Sequence, residues 1–345
     1  MKIARFYCRK ENDGWLCYDR KSDNYEWTLI EPDSIDTLFV NNPLLGKHNS
    51  KLSYPKKVFL NITKKCNLFC SHCYNNSGED DAREIPYENL QEILKYLRSR
   101  GVFKITLAGG EPTIHRQFTS AVIFANEIGL SLSIISNGLL LGSSRIYSAL
   151  SECDSVRSVT VSIDGAIEST HDYIRGAGMH RRTWDALRKF RSIFHGKIYI
   201  RFSVSPLSFK ELPALMEMAS KNGIDGIKIN PINPYGRAQL LMTLTGARDL
   251  LVENFADIKS EAEKLNLEIE MPSAKYRSLD GTCLGGKEFI EIDADESIYP
   301  CSFSWGKLKY GDFAKSSYEY LDKIFLSLTY HSLNNDFCLS CLARG

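Results

Sequence analysis

No stretch of this chain approaches the roughly 18 apolar residues in a row that a membrane span requires. The opening run MKIARFYCRK puts charges where a secretory signal needs an apolar centre. A membrane partner is therefore not expected, and the cytoplasm is the expected compartment. Excess charge of either sign is also lacking: 43 Lys and Arg stand against 42 Asp and Glu, a formal net charge of +1. Such a balance provides no global field to gather a polyanion, so nucleic acid is not an expected partner. There is no internal repeat, no low-complexity tract and no aromatic stripe that would mark a cofactor box. What is present is 345 residues, 43% apolar and 25% charged, enough for one large core with small appendages. Ten cysteines are also present. A reducing compartment keeps disulfide frameworks open, so metal binding is the first reading for those that cluster.

Three regions follow one another. Residues 1–54 are β-rich: short strands at 7–8 and 16–18 flank the turn signal Asn12-Asp13-Gly14, and a third strand falls at 25–30. A short helix is expected at 33–40, and 41–53, with Pro43, Gly46 and Asn49, reads as a linker. Cys8 and Cys17 lie symmetrically about the turn and are expected to face each other as free thiols. Residues 55–245 alternate short apolar runs with helical periodicity, the pattern of βα units around a parallel sheet. Strands are predicted near 57–62, 102–107, 131–135, 156–163, 197–204 and 226–230, and helices near 86–100, 115–128, 143–151, 180–194 and 208–222. Six strands make an incomplete barrel, so the expected fold class is α/β, a partial (β/α)6 TIM-like barrel. Residues 246–345 open with a helix at 247–265 and run on into a Cys-bearing tail. Cys153, just past the third predicted helix, reads as a small buried hydrophobe.

Parallel βα architectures collect their chemistry at the carboxyl ends of the strands. The first predicted strand is followed by Cys66-Asn67-Leu68-Phe69-Cys70-Ser71-His72-Cys73, the second by Gly109-Gly110-Glu111-Pro112-Thr113. The third leads to Ser136-Asn137-Gly138, the fourth to Asp164-Gly165, the fifth to Ser205-Pro206 and the sixth to Asn230-Pro231. Three cysteines spaced CxxxCxxC can close over one metal centre, and soft thiolates at that spacing suit an iron-sulfur cluster or zinc. A fourth local ligand is missing, so either the site is completed from elsewhere or one metal position stays open to a substrate. Taken singly, each motif has a plainer reading: a structural zinc site for the cysteines, a helix-start turn for GGEP, a turn for Ser136 and Asn137. Asp164 can likewise be a cap, and Arg175 a surface ion-pair residue.

CxxxCxxC after the first strand with GGEP after the second resembles the radical S-adenosylmethionine (SAM) superfamily, and the resemblance covers residues 57–345. It implies a [4Fe-4S] cluster on Cys66, Cys70 and Cys73 whose open iron takes the amino and carboxylate groups of SAM. It further implies that Gly109, Gly110 and Glu111 meet the methionine ammonium, that Ser136 and Asn137 contact the ribose, and that His72 lies near the adenine, with Tyr74 a neighbour. Ser162-Ile163-Asp164-Gly165 and the run from His171 to Gly176 resemble the branch with auxiliary-cluster domains, which brings Asp164 and Arg175 into the site.

The tail holds Cys283, Cys301, Cys338 and Cys341, and strands at 289–292 and 297–299 flank Asp293-Ala294-Asp295-Glu296 as a hairpin. This resembles the twitch domain, the shorter relative of SPASM, and implies one fully ligated auxiliary [4Fe-4S] cluster on those four cysteines. On spacing alone a four-cysteine zinc ribbon fits as well. Glu296 stands where that family usually has glycine. The activity implied is reductive cleavage of SAM to a 5′-deoxyadenosyl radical, fed by an electron donor such as a flavodoxin or ferredoxin. The expected substrate is a ribosomally synthesised precursor peptide that the enzyme matures by crosslink, thioether or epimerisation, with the front region either adding a substrate strand at its edge or serving as a cap that covers the barrel. The alternatives are a SAM-dependent dehydrogenase of a small alcohol or sugar and, from another class, a non-catalytic zinc or iron-sulfur interaction protein.

Overall fold

The computed structural model describes residues 4–34, 36–47, 52–78, 80–81, 83–271, 283–304 and 308–331. The front region builds a four-stranded sheet from β1 (Phe6–Glu11), β2 (Gly14–Asp19), β3 (Asn24–Thr28) and β4 (Thr37–Val40), in the order β3-β2-β1-β4. The first three strands follow the predicted hairpin pattern. The helix expected at 33–40 is instead β4, which pairs parallel to β1. Its Thr37-Leu38-Phe39-Val40 run is β-branched and aromatic, and the free edge of β1 gives it backbone partners that a four-residue helix lacks. Cys8 is opposite Cys17 with the Cα atoms 4.1 Å apart, and the two are joined as a disulfide, correcting their expected state as free thiols.

A second sheet carries the rest: β5 (Lys57–Thr63), β6 (Lys104–Gly109), β7 (Ser131–Ser136), β8 (Val156–Ser162), β9 (Lys197–Val204), β10 (Gly226–Pro231), β11 (Glu268–Glu270), β12 (Phe289–Ile292), β13 (Ser297–Tyr299) and β14 (Gly311–Asp312). Its order is β11-β10-β9-β8-β7-β6-β5-β12-β13-β14, parallel from β11 through β12 and antiparallel beyond. Between the strands run α1 (Tyr87–Ser99), α2 (Phe118–Glu127), α3 (Ser144–Glu152), α4 (Glu168–Arg175), α5 (Met179–Arg191), α6 (Leu212–Lys221), α7 (Arg248–Glu253) and α8 (Phe255–Lys264), and α9 (Tyr318–His331) closes the described chain. The six predicted strands and five helices are present. The single helix expected at 247–265 breaks at Asn254 into α7 and α8, and α4 and β11 went unpredicted.

Alternation along each strand decides what lies inside. In β9, Ile198, Ile200, Phe202 and Val204 are fully buried toward the helices, while Tyr199, Arg201 and Ser203 point to the other side. The buried face of α1, Leu90, Ile93, Leu94 and Leu97, repeats at helical spacing and packs into the same core. Side chains from β5 through β11 meet around one small hollow, lined by Phe59, Thr106, Ser133, Thr160, Arg201 and Asn230 among others. Seven strands can share a hollow only if the sheet curls, which is the incomplete barrel.

The front sheet is fused to that barrel. Tyr7 and Tyr18 stack on Phe103 at centroid distances of 4.7 and 5.4 Å. Arg9 is almost wholly buried; it donates to the carbonyls of Tyr54 at 3.0 Å and Arg100 at 2.6 Å and pairs with buried Glu11 at 2.7 Å. A buried pair stripped of one member leaves an uncompensated charge. Arg9→Met should therefore cost about 3–5 kcal/mol in urea unfolding, and Arg9→Met with Glu11→Leu less than half of that. A single mutant within ~0.5 kcal/mol of the parent would contradict the burial of this pair.

Candidate functional site

Just after β5 the chain turns through Cys66 to Cys73 under close backbone control. The Cys66 amide donates to the Gly78 carbonyl at 3.1 Å, the Cys73 amide to Cys70 at 3.2 Å, and the Ser71 amide to Ile174 at the end of α4 at 2.9 Å. Arg237 closes the loop from outside. Its Nε donates to the Cys70 carbonyl at 2.8 Å, its Nη1 to Ser77 at 3.0 Å, its own amide to Cys73 at 3.0 Å, and its guanidinium lies 3.8 Å over the Phe69 ring. Gly236 permits this approach: its φ is +58°, and a Cβ there would come within 2.4 Å of the Cys73 carbonyl oxygen. Sequence reading passed over Gly236 and Arg237, because a lone Gly-Arg between strands looks like an ordinary turn.

Cys66 and Cys70 are buried, and Cys73 is half-buried. Burial pushes the Cys66 thiol up to about 12, and the charges of Glu111, Cys70 and Cys73 add to the rise. Burial raises Cys70 as well, against the pull of Arg175. Cys66 and Cys70 therefore keep their protons until a cation reverses the balance. Among the described residues no three His, Cys, Asp or Glu converge on the position of a single metal ion. Three soft thiol donors on one loop are the donor set that an iron-sulfur cluster takes.

The GGEP segment locks the next strand end to this loop. Gly110 donates its amide to Thr63 at 2.7 Å and Glu111 its amide to Lys65 at 2.8 Å. A Cβ on Gly109, whose φ is +132°, would lie 2.2 Å from the Thr63 oxygen, and one on Gly110 would lie 2.0 Å from the Lys65 oxygen. The close approach that these glycines allow is thus to the protein's own backbone. The Glu111 carboxylate is fully buried, and burial raises its pKa. Its Oε1 accepts from the Thr113 amide at 3.1 Å, the Thr113 hydroxyl at 2.6 Å and the Ser136 hydroxyl at 2.9 Å; its Oε2 accepts from the Asn137 amide at 2.6 Å. Oε2 therefore keeps acceptor capacity for a cation. Asn137 Nδ2 returns to the Cys loop, donating to Asn67 Oδ1 at 2.7 Å.

The fourth strand end adds a buried ion cluster. Asp164 is wholly enclosed; its Oδ2 meets His72 Nε2 at 2.9 Å and Arg175 Nε at 2.5 Å, and its Oδ1 accepts from the Ser203 amide at 2.9 Å. Burial by itself would raise this carboxyl, but Arg175 and His72 outweigh burial and hold it well below the usual carboxylate range. Arg175 also reaches Cys70 Sγ at 3.8 Å and, against the burial that lowers it, is held protonated by Asp164 and Cys70. Helix α4 places His171 and Arg175 four residues apart on one buried face. Burial, then Arg175, pushes His171 down to about 4, so the ring is neutral. His72 Nδ1 and His171 Nε2 are buried without a hydrogen-bond partner.

Residues 60–219 match the family model of the Radical SAM superfamily. The chain carries a radical SAM domain. The mycofactocin maturase MftC of Mycobacterium tuberculosis is 25% identical over 268 residues, covering 76% of this chain and 68% of that protein. The PqqA peptide cyclase of Rhodopseudomonas palustris is 26% identical over 260 residues, covering 72% and 67%. In fold, the crystal structure of Streptococcus suis SuiB bound to its precursor peptide SuiA superimposes with a TM-score of 0.77 over 100% of this chain and 94% of that one, at 17% identity. This is a radical SAM enzyme, and the family implies a [4Fe-4S] cluster and SAM. No helix of the described residues is long and apolar enough to cross a membrane.

The radical SAM sheet continues directly into the tail hairpin, because β12 pairs parallel with β5. Cys283 and Cys301 flank that hairpin, and a Cβ on Gly285 would lie 3.5 Å from Cys283 Sγ and 3.6 Å from Cys301 Cβ, so both cysteines border one glycine. Cys338 and Cys341 lie outside the described residues. Glu296, flagged by its residue type, adopts φ +63° and accepts from Asn89 Nδ2 at 2.7 Å. Two carboxylates that sequence reading took as hairpin residues turn inward: Glu291 accepts from Asn61 Nδ2 at 2.5 Å and from the Ser302 hydroxyl, and Asp293 pairs with Lys64 at 3.1 Å. Only the β5–β12 pairing brings them there.

Burial pushes Glu291 up to about 8. A carboxyl raised in the folded state holds its proton longer than the unfolded chain does, so its burial destabilises the fold increasingly from ~pH 4.5 to ~pH 8 and fully above. Glu291→Gln cannot titrate. Measured against the parent in urea unfolding, it should gain about 2–4 kcal/mol between ~pH 5 and ~pH 8, and parallel pH slopes would reject the raised pKa.

Proposed function

We propose that this radical SAM enzyme matures a ribosomally synthesised precursor peptide. The observation that carries the reading is that relatives matching some two-thirds or more of both lengths are a mycofactocin maturase and a PqqA peptide cyclase. The front sheet supports it, since among the described residues β4 is an edge strand paired with β1, with Leu38 and Phe39 exposed, a place for an added strand. We assign the [4Fe-4S] cluster to Cys66, Cys70 and Cys73, and the open iron to SAM. An auxiliary [4Fe-4S] cluster is assigned to Cys283, Cys301, Cys338 and Cys341, and the reducing electron to a small donor of the flavodoxin or ferredoxin kind.

When bound, the cluster and SAM supply an electron and a 5′-deoxyadenosyl radical for hydrogen abstraction. The chain's own residues bind, orient and shield. The spare acceptor on Glu111 Oε2 suits the methionine ammonium, with Gly109 and Gly110 fixing the rim around it. Ser136 and Asn137 sit where a ribose would follow, and His72, pinned by Asp164, offers a ring face to the adenine. Arg175 places a permanent positive charge beside Cys70 Sγ, which offsets thiolate charge in a site closed to water. Burial of Cys66, Cys70, Glu111 and Asp164 keeps the rim dry and preorganised.

Anaerobic reconstitution is expected to give about eight irons per chain and, with dithionite, 5′-deoxyadenosine. Cys66→Ala should remove about four irons and all SAM cleavage, and Cys301→Ala about four irons. Co-expression with a small open reading frame beside the gene should change that peptide's mass. Zinc without iron in anaerobically purified protein would overturn the reading.

A further inference from the structure

The hollow inside the barrel carries an unbalanced positive charge, Lys57, Arg201 and Lys228 against Glu270. Across the sheet, Ser162, Arg201, Lys228 and Glu270 sit opposite one another in register on β8, β9, β10 and β11. Two like charges on neighbouring strands repel, so this row costs stability unless an anion joins it. Lys228 has one: Glu270 lies 3.7 Å from its Nζ, and the Tyr199 ring stacks 4.2 Å beneath it. Arg201 is half-buried and has neither a hydrogen bond nor an ion pair among the described residues. The nearby acids are occupied, Asp164 by Arg175 and His72, Asp293 by Lys64, and Glu291 by Asn61 and Ser302.

We propose that Arg201 receives a carboxylate of the substrate peptide inside the barrel. A planar guanidinium with free donors in a partly desolvated hollow is the group that binds a carboxylate in bidentate fashion. Lys57 and Lys228, which line the same hollow, outnumber Glu270 there and deepen its preference for an anion. The carboxylate belongs to an acidic side chain or to the peptide's own terminus. The word peptide rests on the function proposed above; the charge preference rests on the hollow alone.

The test is calorimetric titration of the cluster-loaded, SAM-bound protein at low salt with acetyl-Gly-Glu-Gly-amide, its Gln counterpart, acetyl-Gly-Gly-Gly with a free carboxylate, and glutarate. One carboxylate probe is expected to bind at least ~10-fold tighter than the Gln peptide, with the preference falling to within ~2-fold in Arg201→Gln and persisting in part in Arg201→Lys. Preference for the Glu peptide assigns a side chain, and preference for the free tripeptide assigns a terminus. Glutarate binding as tightly as either peptide, with the same loss in Arg201→Gln, keeps the charge preference and removes the peptide. Equal binding of the Glu, Gln and free-carboxylate peptides, no binding by any carboxylate, or a preference that survives Arg201→Gln overturns the inference, while a mass change in the neighbouring precursor would leave the maturase reading standing.

Discussion

The site depends on one buried carboxylate. Glu111 takes four hydrogen bonds from the ends of two strands, while its own amide and that of Gly110 bond to the segment that launches the Cys loop. Burying a carboxylate without partners would raise its pKa until it became neutral. Donors from Thr113, Ser136 and Asn137 oppose that rise, although burial outweighs them and the pKa stays raised. The same bonds tie β5, β6 and β7 into a single rim, and a displacement at any of the three would reach the cysteines. The glycines at 109 and 110 are required for this contact: any side chain would collide with the Thr63 or Lys65 carbonyl.

A second charge system balances the first. Three thiols, Glu111 and Asp164 gather acidity around one loop, and the cations set against it are few: Arg175 touches both Asp164 and Cys70, and Arg237 holds the loop by its carbonyls. Arg175 therefore neutralises, whereas Arg237 shapes. The distinction follows from what each guanidinium donates to, a carboxylate and a sulfur in one case and backbone oxygens in the other.

Much of the architecture was legible because the βα alternation is strong, with short β-branched runs separated by segments of helical period. The cysteine triplet and GGEP were legible because their residue types are rare in turns and their places after consecutive strands are specific. The strand β4 was missed because four residues carry too little periodicity to separate strand from helix, and pairing with β1 decided the matter. Helix α4 was read as a motif and not as an element, since its eight residues are mostly polar. Arg237, Glu291 and Asp293 could not be read locally. Each acquires its role from a contact more than 150 residues away, with Cys70, Asn61 and Lys64. Cys8 and Cys17 were placed correctly across the hairpin, but their covalent state was not.

The extension of the sheet past β5 links the two cysteine groups more closely than their spacing along the chain suggests. β5 leads directly into Cys66, and its neighbour β12 belongs to the hairpin between Cys283 and Cys301. Asn61 and Lys64, flanking the end of β5, bind the Glu291 and Asp293 side chains of that hairpin. The polar contacts joining them are almost wholly buried, so the two regions cannot separate without exposing unpaired charge. Movement at the hairpin must therefore pass to the strand that positions Cys66. The inner face of the barrel is lined mostly by polar and charged side chains, with Phe59 and Ile135 among them, which gives up apolar burial that a closed barrel would have used for stability. What it gains is an interior lined by the charges of Lys57, Arg201, Lys228 and Glu270, where a packed core would hold none.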